Sequence, residues 1–167
     1  MRNDPGFELD VVISTIHDIL EAIEQFLLTG PACLLTHSGA QSITHNTVTP
    51  LTFDTELVDT ESIHSTGVNP TRMTCVTAGR YLCTASVQIQ SNATGERQLR
   101  ILKNGTADAI ISVTPVSGNV TRGTISVLLN LAASDYVEIA IFQSSGVTLT
   151  VDVAANNSPR VGMVRVG

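Results

Sequence analysis

The sequence contains no tryptophan and only two tyrosines, Tyr81 and Tyr136, in 167 residues. Clefts that grip sugars on indole or phenol faces have little to be built from. Charge is scarce as well: Asp, Glu, Lys and Arg together make up 14% of the chain, with a net charge of −6. No three Lys or Arg residues cluster anywhere, and a phosphate backbone needs such a basic footprint. Nucleic acid is therefore excluded as a partner, and an anionic membrane surface is disfavoured for the same reason. Cysteine is present three times, an odd number that does not describe a disulfide framework and points to a reducing compartment during synthesis. The early apolar stretch is broken by Asp10, Asp18, Glu21 and Glu24, so no membrane span is expected. The opening Met1-Arg2-Asn3-Asp4-Pro5 lacks the basic segment of a secretion signal, and no secretion signal is expected there.

Enzyme signatures are missing too. There is no Gly-x-Ser-x-Gly, HExxH, P-loop or GxGxxG pattern, and His17, His37, His45 and His64 stand apart from one another and from the cysteines. A catalytic centre and a cofactor are not expected. The histidines read as solvated, interface, loop or strand-surface positions.

What the chain has in quantity is Thr, Ser, Asn and Val, the composition of β-sheet with hydroxyl residues on its exposed positions. Two parts are expected: an N-terminal arm and amphipathic helix over 1–31, and a β-domain over 32–167. In the first part Leu9, Val12, Ile16, Ile19, Ile23 and Phe26 follow at alternating spacings of three and four, the a and d positions of a heptad. Ile13, Leu20 and Leu27 add a third apolar row at e. Asp4-Pro5 reads as the helix start and Gly30-Pro31 as its stop. Three heptads are marginal as an isolated coiled coil. The wide face suits self-association, and pattern alone leaves two-stranded and three-stranded bundles open. A helix lying on its own domain's core is the plainer alternative.

In the second part, strands are expected at Cys33–His37, Ile43–Phe53, Arg72–Val76, Gly79–Gln90, Arg97–Lys103, Ala109–Pro115, Thr121–Asn130, Tyr136–Gln143, Thr148–Val153 and Arg160–Val166. Tyr81, Cys83, Ala85, Val87 and Ile89 share one face of their strand, as do Val137, Ile139 and Ile141 on theirs. Turn signals separate the runs, among them Asn104-Gly105, Ser117-Gly118-Asn119 and Ser145-Gly146. Many short strands without helices argue for a sandwich or barrel.

Several stretches carry a resemblance. Gly79-Arg80-Tyr81-Leu82 resembles the G-x-Y strand of C1q/tumour-necrosis-factor-like jelly rolls, and Leu102-Lys103-Asn104-Gly105 resembles their L-x-K-N-G hairpin. The run from Thr124 through Ser134-Asp135-Tyr136-Val137 resembles their L-x-L-x-x-G-D-x-V segment, with Ser134 where glycine is usual. Arg160 to Val166 sits where the final central strand is expected, and Phe53 to Glu56, Asp59-Thr60 and His64 resemble the opening strands of viral and bacterial members. The resemblance spans about 115 residues. It implies an all-β jelly-roll sandwich that forms a tight homotrimer. The short, aromatic-poor form is most similar to modules on bacteriophage virions.

On that basis the expected function is structural: a homotrimeric capsid decoration, or cement, protein on the outer surface of a phage head. Its partners would be its own copies and the major capsid protein or another virion protein. The alternative is a receptor-binding tip or head-fibre module that attaches to a host surface glycan or protein. The helix residues Leu9, Val12, Ile13, Ile16, Ile19, Leu20, Ile23, Phe26 and Leu27 would gather and anchor the trimer. Cys33, just past the Gly30-Pro31 hinge, is a candidate for an intermolecular disulfide. Cys75 and Cys83 flank a turn and read as small buried residues rather than a cross-strand disulfide. Asp54, Glu56, Asp59 and Glu61 are candidate calcium ligands, with a solvated acidic edge as the alternative.

Overall fold

A computed structural model describes residues 5–153 and 159–167; for 5–8 and 25–29 it describes the backbone but not the side chains. The chain divides into two compact units, 1–30 and 31–167.

The first unit is one helix, α1, over Pro5–Thr29. It starts on the proline that the sequence places at the first helical position, and Asp4, the expected cap, lies outside the described residues. Every described side chain from Leu9 to Glu24 is exposed.

The second unit is a two-layer β-sandwich. Its strands are β1 (Ala32–Thr36), β2 (Gln41–Ile43), β3 (Thr49–Pro50), β4 (Thr55–Asp59), β5 (Arg72–Thr74), β6 (Gly79–Ile89), β7 (Arg97–Lys103), β8 (Thr106–Val113), β9 (Thr121–Leu131), β10 (Tyr136–Gln143), β11 (Leu149–Val151) and β12 (Arg160–Arg165). One sheet runs β4–β1–β12–β6–β9, with β11 joining β6 at Val151 opposite Ile89, and β2 beside β11. The other runs β10–β7–β8, with β3 and β5 both on the free side of β10. Every pairing is antiparallel, which lets one face of each sheet bury and the other meet water.

Period-two alternation builds the core. Tyr81, Cys83, Ala85, Val87 and Ile89 from β6 all point inward, facing Leu99 and Ile101 of β7 and Val137, Ile139 and Ile141 of β10. The Tyr81 hydroxyl finds the Thr77 carbonyl at 2.5 Å, so its polar tip is satisfied inside the core.

One expected strand comes out differently and one forms that the strand pattern does not show. The single run Ile43–Phe53 is two short strands, because Asn46 adopts a left-handed φ of 54° and Pro50 removes a ladder donor. A strand at Thr55–Asp59, absent from the expected set, forms along the edge of β1.

Candidate self-association surfaces

The outer face of the larger sheet is where the structure leaves apolar side chains uncovered. The alternation that turns Tyr81 and Cys83 inward turns Leu82 and Thr84 outward. Antiparallel register then aligns neighbours across the strands. Ala32 of β1 pairs with Val164 of β12, Val164 with Leu82 of β6, and Leu82 with Leu128 of β9. The next row holds Val58 of β4, Leu34, Gly162, Thr84 and Ser126. Beyond it the row of Thr36, Arg160, Ser86 and Thr124 is polar. The result is an apolar band across four to five strands with a hydroxyl-rich border.

Val58, Leu82, Leu128 and Val164 are 41%, 38%, 56% and 42% exposed. Gly162 leaves a notch in the band. A Cβ there would come within 3.3 Å of Thr84 Oγ1 and 3.7 Å of Leu34 Cδ1. Around it lies a cavity of about 230 Å³ whose walls include Leu34, Val58, Leu82 and Val164. No charged side chain lines it.

The helix carries the second uncovered apolar surface. Leu9, Val12, Ile13, Ile16, Ile19, Leu20 and Ile23 are each about half exposed. The side chains of Phe26 and Leu27 lie outside the described residues, although both positions are helical. His17 sits on the wet face, with Nε2 3.0 Å from Glu21 one turn on.

The disulfide expectation for Cys33 is corrected. Its alternation position on β1 turns it into the core at 3% exposure, opposite Met163. Burial, with the charges of Asp59 and Glu56 adding to it, pushes its thiol far above the ordinary range. A buried, protonated thiol neither reaches a second chain nor attacks. Cys75 and Cys83 are also free and buried, as small core residues; Cys83 is pushed up to about 12 by burial.

The four acids are not gathered together. Asp54 accepts from the Ser38 N–H at 2.9 Å and from the Ser38 hydroxyl, which above all holds its carboxyl below the ordinary carboxylate range. Asp59 accepts the N–H groups of Ile63 and His64, Glu61 accepts the Thr77 hydroxyl, and Glu56 is exposed on β4. Among the described residues no three Asp, Glu, His or Cys side chains converge on a metal position. Asp54 and Asp59 instead satisfy backbone N–H groups of loop residues.

His64 departs from the expected surface position. It is 6% exposed, with Nδ1 2.9 Å from the Arg72 carbonyl and Nε2 3.1 Å from the Phe53 carbonyl. Among the described residues no helix is long and apolar enough to cross a membrane.

The order and pairing of these strands define a jelly-roll β-sandwich. Solved structures narrow the likeness to C1q and TNF domains. The globular domain of the zebrafish complement 1qA protein matches with a TM-score of 0.61 at 14% identity, over 82% of this chain and 98% of that one. Eiger TNF from S. frugiperda matches at 0.62 and 12%, over 82% and 92%. Murine APRIL matches at 0.61 and 12%, over 81% and 98%. No protein-family model and no curated protein sequence matches the chain. The fold is thus the C1q/TNF-like jelly roll with one N-terminal helix.

Proposed function

We propose that the protein is a self-associating structural module, a homotrimer, whose trimers decorate the outer surface of a bacteriophage head. The observation that carries the self-association is the apolar band on the outer face of the larger sheet. Covering the exposed part of four Val and Leu side chains is worth roughly 1 kcal/mol each, and contiguous uncovered patches of this kind mark interaction surfaces. A copy of the same chain is the partner that is always present at matching concentration. A ring of three closes on itself and leaves no unpaired patch.

The virion role rests on the sequence resemblance to short phage modules and on the helix, whose wide apolar face has capacity for a second partner such as the major capsid protein. Light scattering in line with size exclusion tests the first step, with three times the 17.7 kDa chain mass expected. The second is tested by adding the purified protein, whole and lacking residues 1–30, to undecorated capsids. The whole chain is expected to bind in hundreds of copies per particle and the truncated one to fail. Full decoration by the truncated chain would remove the helix as anchor.

A further inference from the structure

A second cavity, of about 170 Å³, opens beside β5. Its walls combine Ile63 and Val68 with Ser62, Asn69, Arg72 and Thr74. The loop that forms it is pinned on several sides. Asp59 accepts the N–H groups of Ile63 at 2.8 Å and His64 at 2.9 Å. The buried His64 ring bridges the Phe53 and Arg72 carbonyls. The Thr74 N–H donates to the Ile63 carbonyl at 2.7 Å, and the Arg72 N–H to that of Asn69 at 2.9 Å.

Arg72 is held from below and from one edge. Its guanidinium carbon stacks 3.9 Å from the Tyr136 ring centroid, and its Nε lies 3.5 Å from Glu138. Glu138 is in turn fixed by the Thr71 hydroxyl at 2.6 Å. The two terminal nitrogens of Arg72 have no protein partner among the described residues. The same is true of the hydroxyls of Ser62 and Thr74 and the side-chain amide of Asn69.

We propose that this cavity binds the carboxylate-bearing ring of an acidic sugar. An arginine fixed by stacking and by one carboxylate still offers its outer edge, the fork that pairs with a second carboxylate in two parallel bonds. Hydroxyls and an amide beside it are the groups that satisfy the hydroxyls of a polyol. A volume of about 170 Å³ equals that of about six water molecules at ~30 Å³ each and has room for one small ring. Among the described residues no Trp, Tyr or Phe lines the cavity, and the His64 ring is committed to the Arg72 and Phe53 carbonyls, so a neutral sugar has no broad aromatic face to stack on and charge carries the recognition. Glu138 offsets part of the Arg72 charge, which places the dissociation constant on the order of 1 mM.

The test is a titration of the isotope-labelled full-length protein with sodium glucuronate, glucose and phosphate, followed through the amide resonances of residues 60–74. Glucuronate is expected to give saturable shifts, with glucose and phosphate each at least tenfold weaker. Arg72→Gln is expected to weaken glucuronate tenfold or more. Because that change strands the buried Glu138, Ser62→Gly and Asn69→Gly, which leave Glu138 its partners and suit the left-handed φ of 55° and 51° at these positions, provide the second arm; each is expected to weaken binding severalfold with the spectrum outside residues 60–74 unchanged. No saturation by glucuronate up to 50-fold above the expected constant, on the order of 50 mM, overturns the site. Equal binding of phosphate overturns the sugar, and unchanged affinity in all three variants overturns the location.

Discussion

Ser134 holds a φ of 72°, in the left-handed region that costs a residue with a Cβ about 1–2 kcal/mol. Glycine adopts that region freely but loses about 0.5–1 kcal/mol more backbone entropy on folding. The strain exceeds the entropy term, so Ser134→Gly is expected to stabilise the domain by about 0.5–1 kcal/mol, read as a higher urea midpoint. The next residue, Asp135, locks the same turn to the hairpin at Asn104. Its carboxylate accepts the Asn104 amide at 2.7 Å and the Ala132 N–H at 2.9 Å, and Lys103 lies 3.0 Å away. Those bonds, the Asn104 amide foremost, hold its pKa down to about 2 against a usual 3.8. A depressed carboxyl contributes stability that is fully present above its unfolded pKa and is lost as pH falls through the folded one. Asp135→Asn should therefore lower the midpoint at neutral pH and flatten its decline between about pH 4 and 2; a parallel decline in both proteins would show that Asp135 is not the titrating group. This turn was legible in the sequence, since Ser134-Asp135 stands where the resembling segment has Gly-Asp. Arg97 was not. It is fully buried, and its guanidinium donates to the carbonyls of Asn92, Thr94 and Glu96 at 2.9–3.0 Å. Nothing in a strand pattern announces an inward arginine that ties off a loop. Cys33 was misread for a related reason: the inward or outward sense of a β1 residue depends on register, and a shift of one residue reverses it.

Among the elements, the long alternating strands β6 and β9 are written plainly in the sequence, because each buries one whole face. Strand β4 is not. Its Glu56, Leu57 and Val58 are exposed in succession, so no alternation marks it, and it exists because β1 offers an unpaired edge. Its acids suit a sheet edge, where charge discourages further pairing. The helix is the reverse case, with a clear period and an uncovered apolar side. Its 25 residues include seven Leu, Ile and Val side chains about half exposed along one side. Most of the stability of an amphipathic helix comes from packing its apolar side rather than from propensity, and the β-branched Val and Ile residues of α1 are weak helix formers. A peptide of residues 1–30 is expected to gain helical circular dichroism as its concentration rises tenfold. Ile16→Asp, a charge at the centre of the face, should abolish that gain. Helicity independent of concentration in both peptides would separate the helix from self-association.

In the whole molecule the two apolar surfaces belong to one chain, and this makes their contributions multiply. In the proposed trimer, three sheet faces that meet would confine the helices they carry at an effective concentration in the millimolar range, far above that of the free protein. Two weak contacts would then give one firm assembly. The β-domain lacking residues 1–30 should remain trimeric at high concentration but dissociate at concentrations roughly a hundredfold higher than the full chain does. Leu82→Asp places a charge between Val164 and Leu128 in the middle of the band. Its side chain points outward, so the fold should survive with an unchanged far-ultraviolet spectrum, while burying an unpaired carboxylate against a second copy costs several kcal/mol. The substituted full chain should therefore associate through its helix alone, weakly and with rapid exchange, and the substituted truncated chain should be monomeric throughout. Light scattering across a thousandfold dilution distinguishes the four proteins. A truncated chain that is monomeric even at high concentration would remove the sheet face from the assembly. A substituted full chain that dissociates like the parent would assign the assembly to the helix.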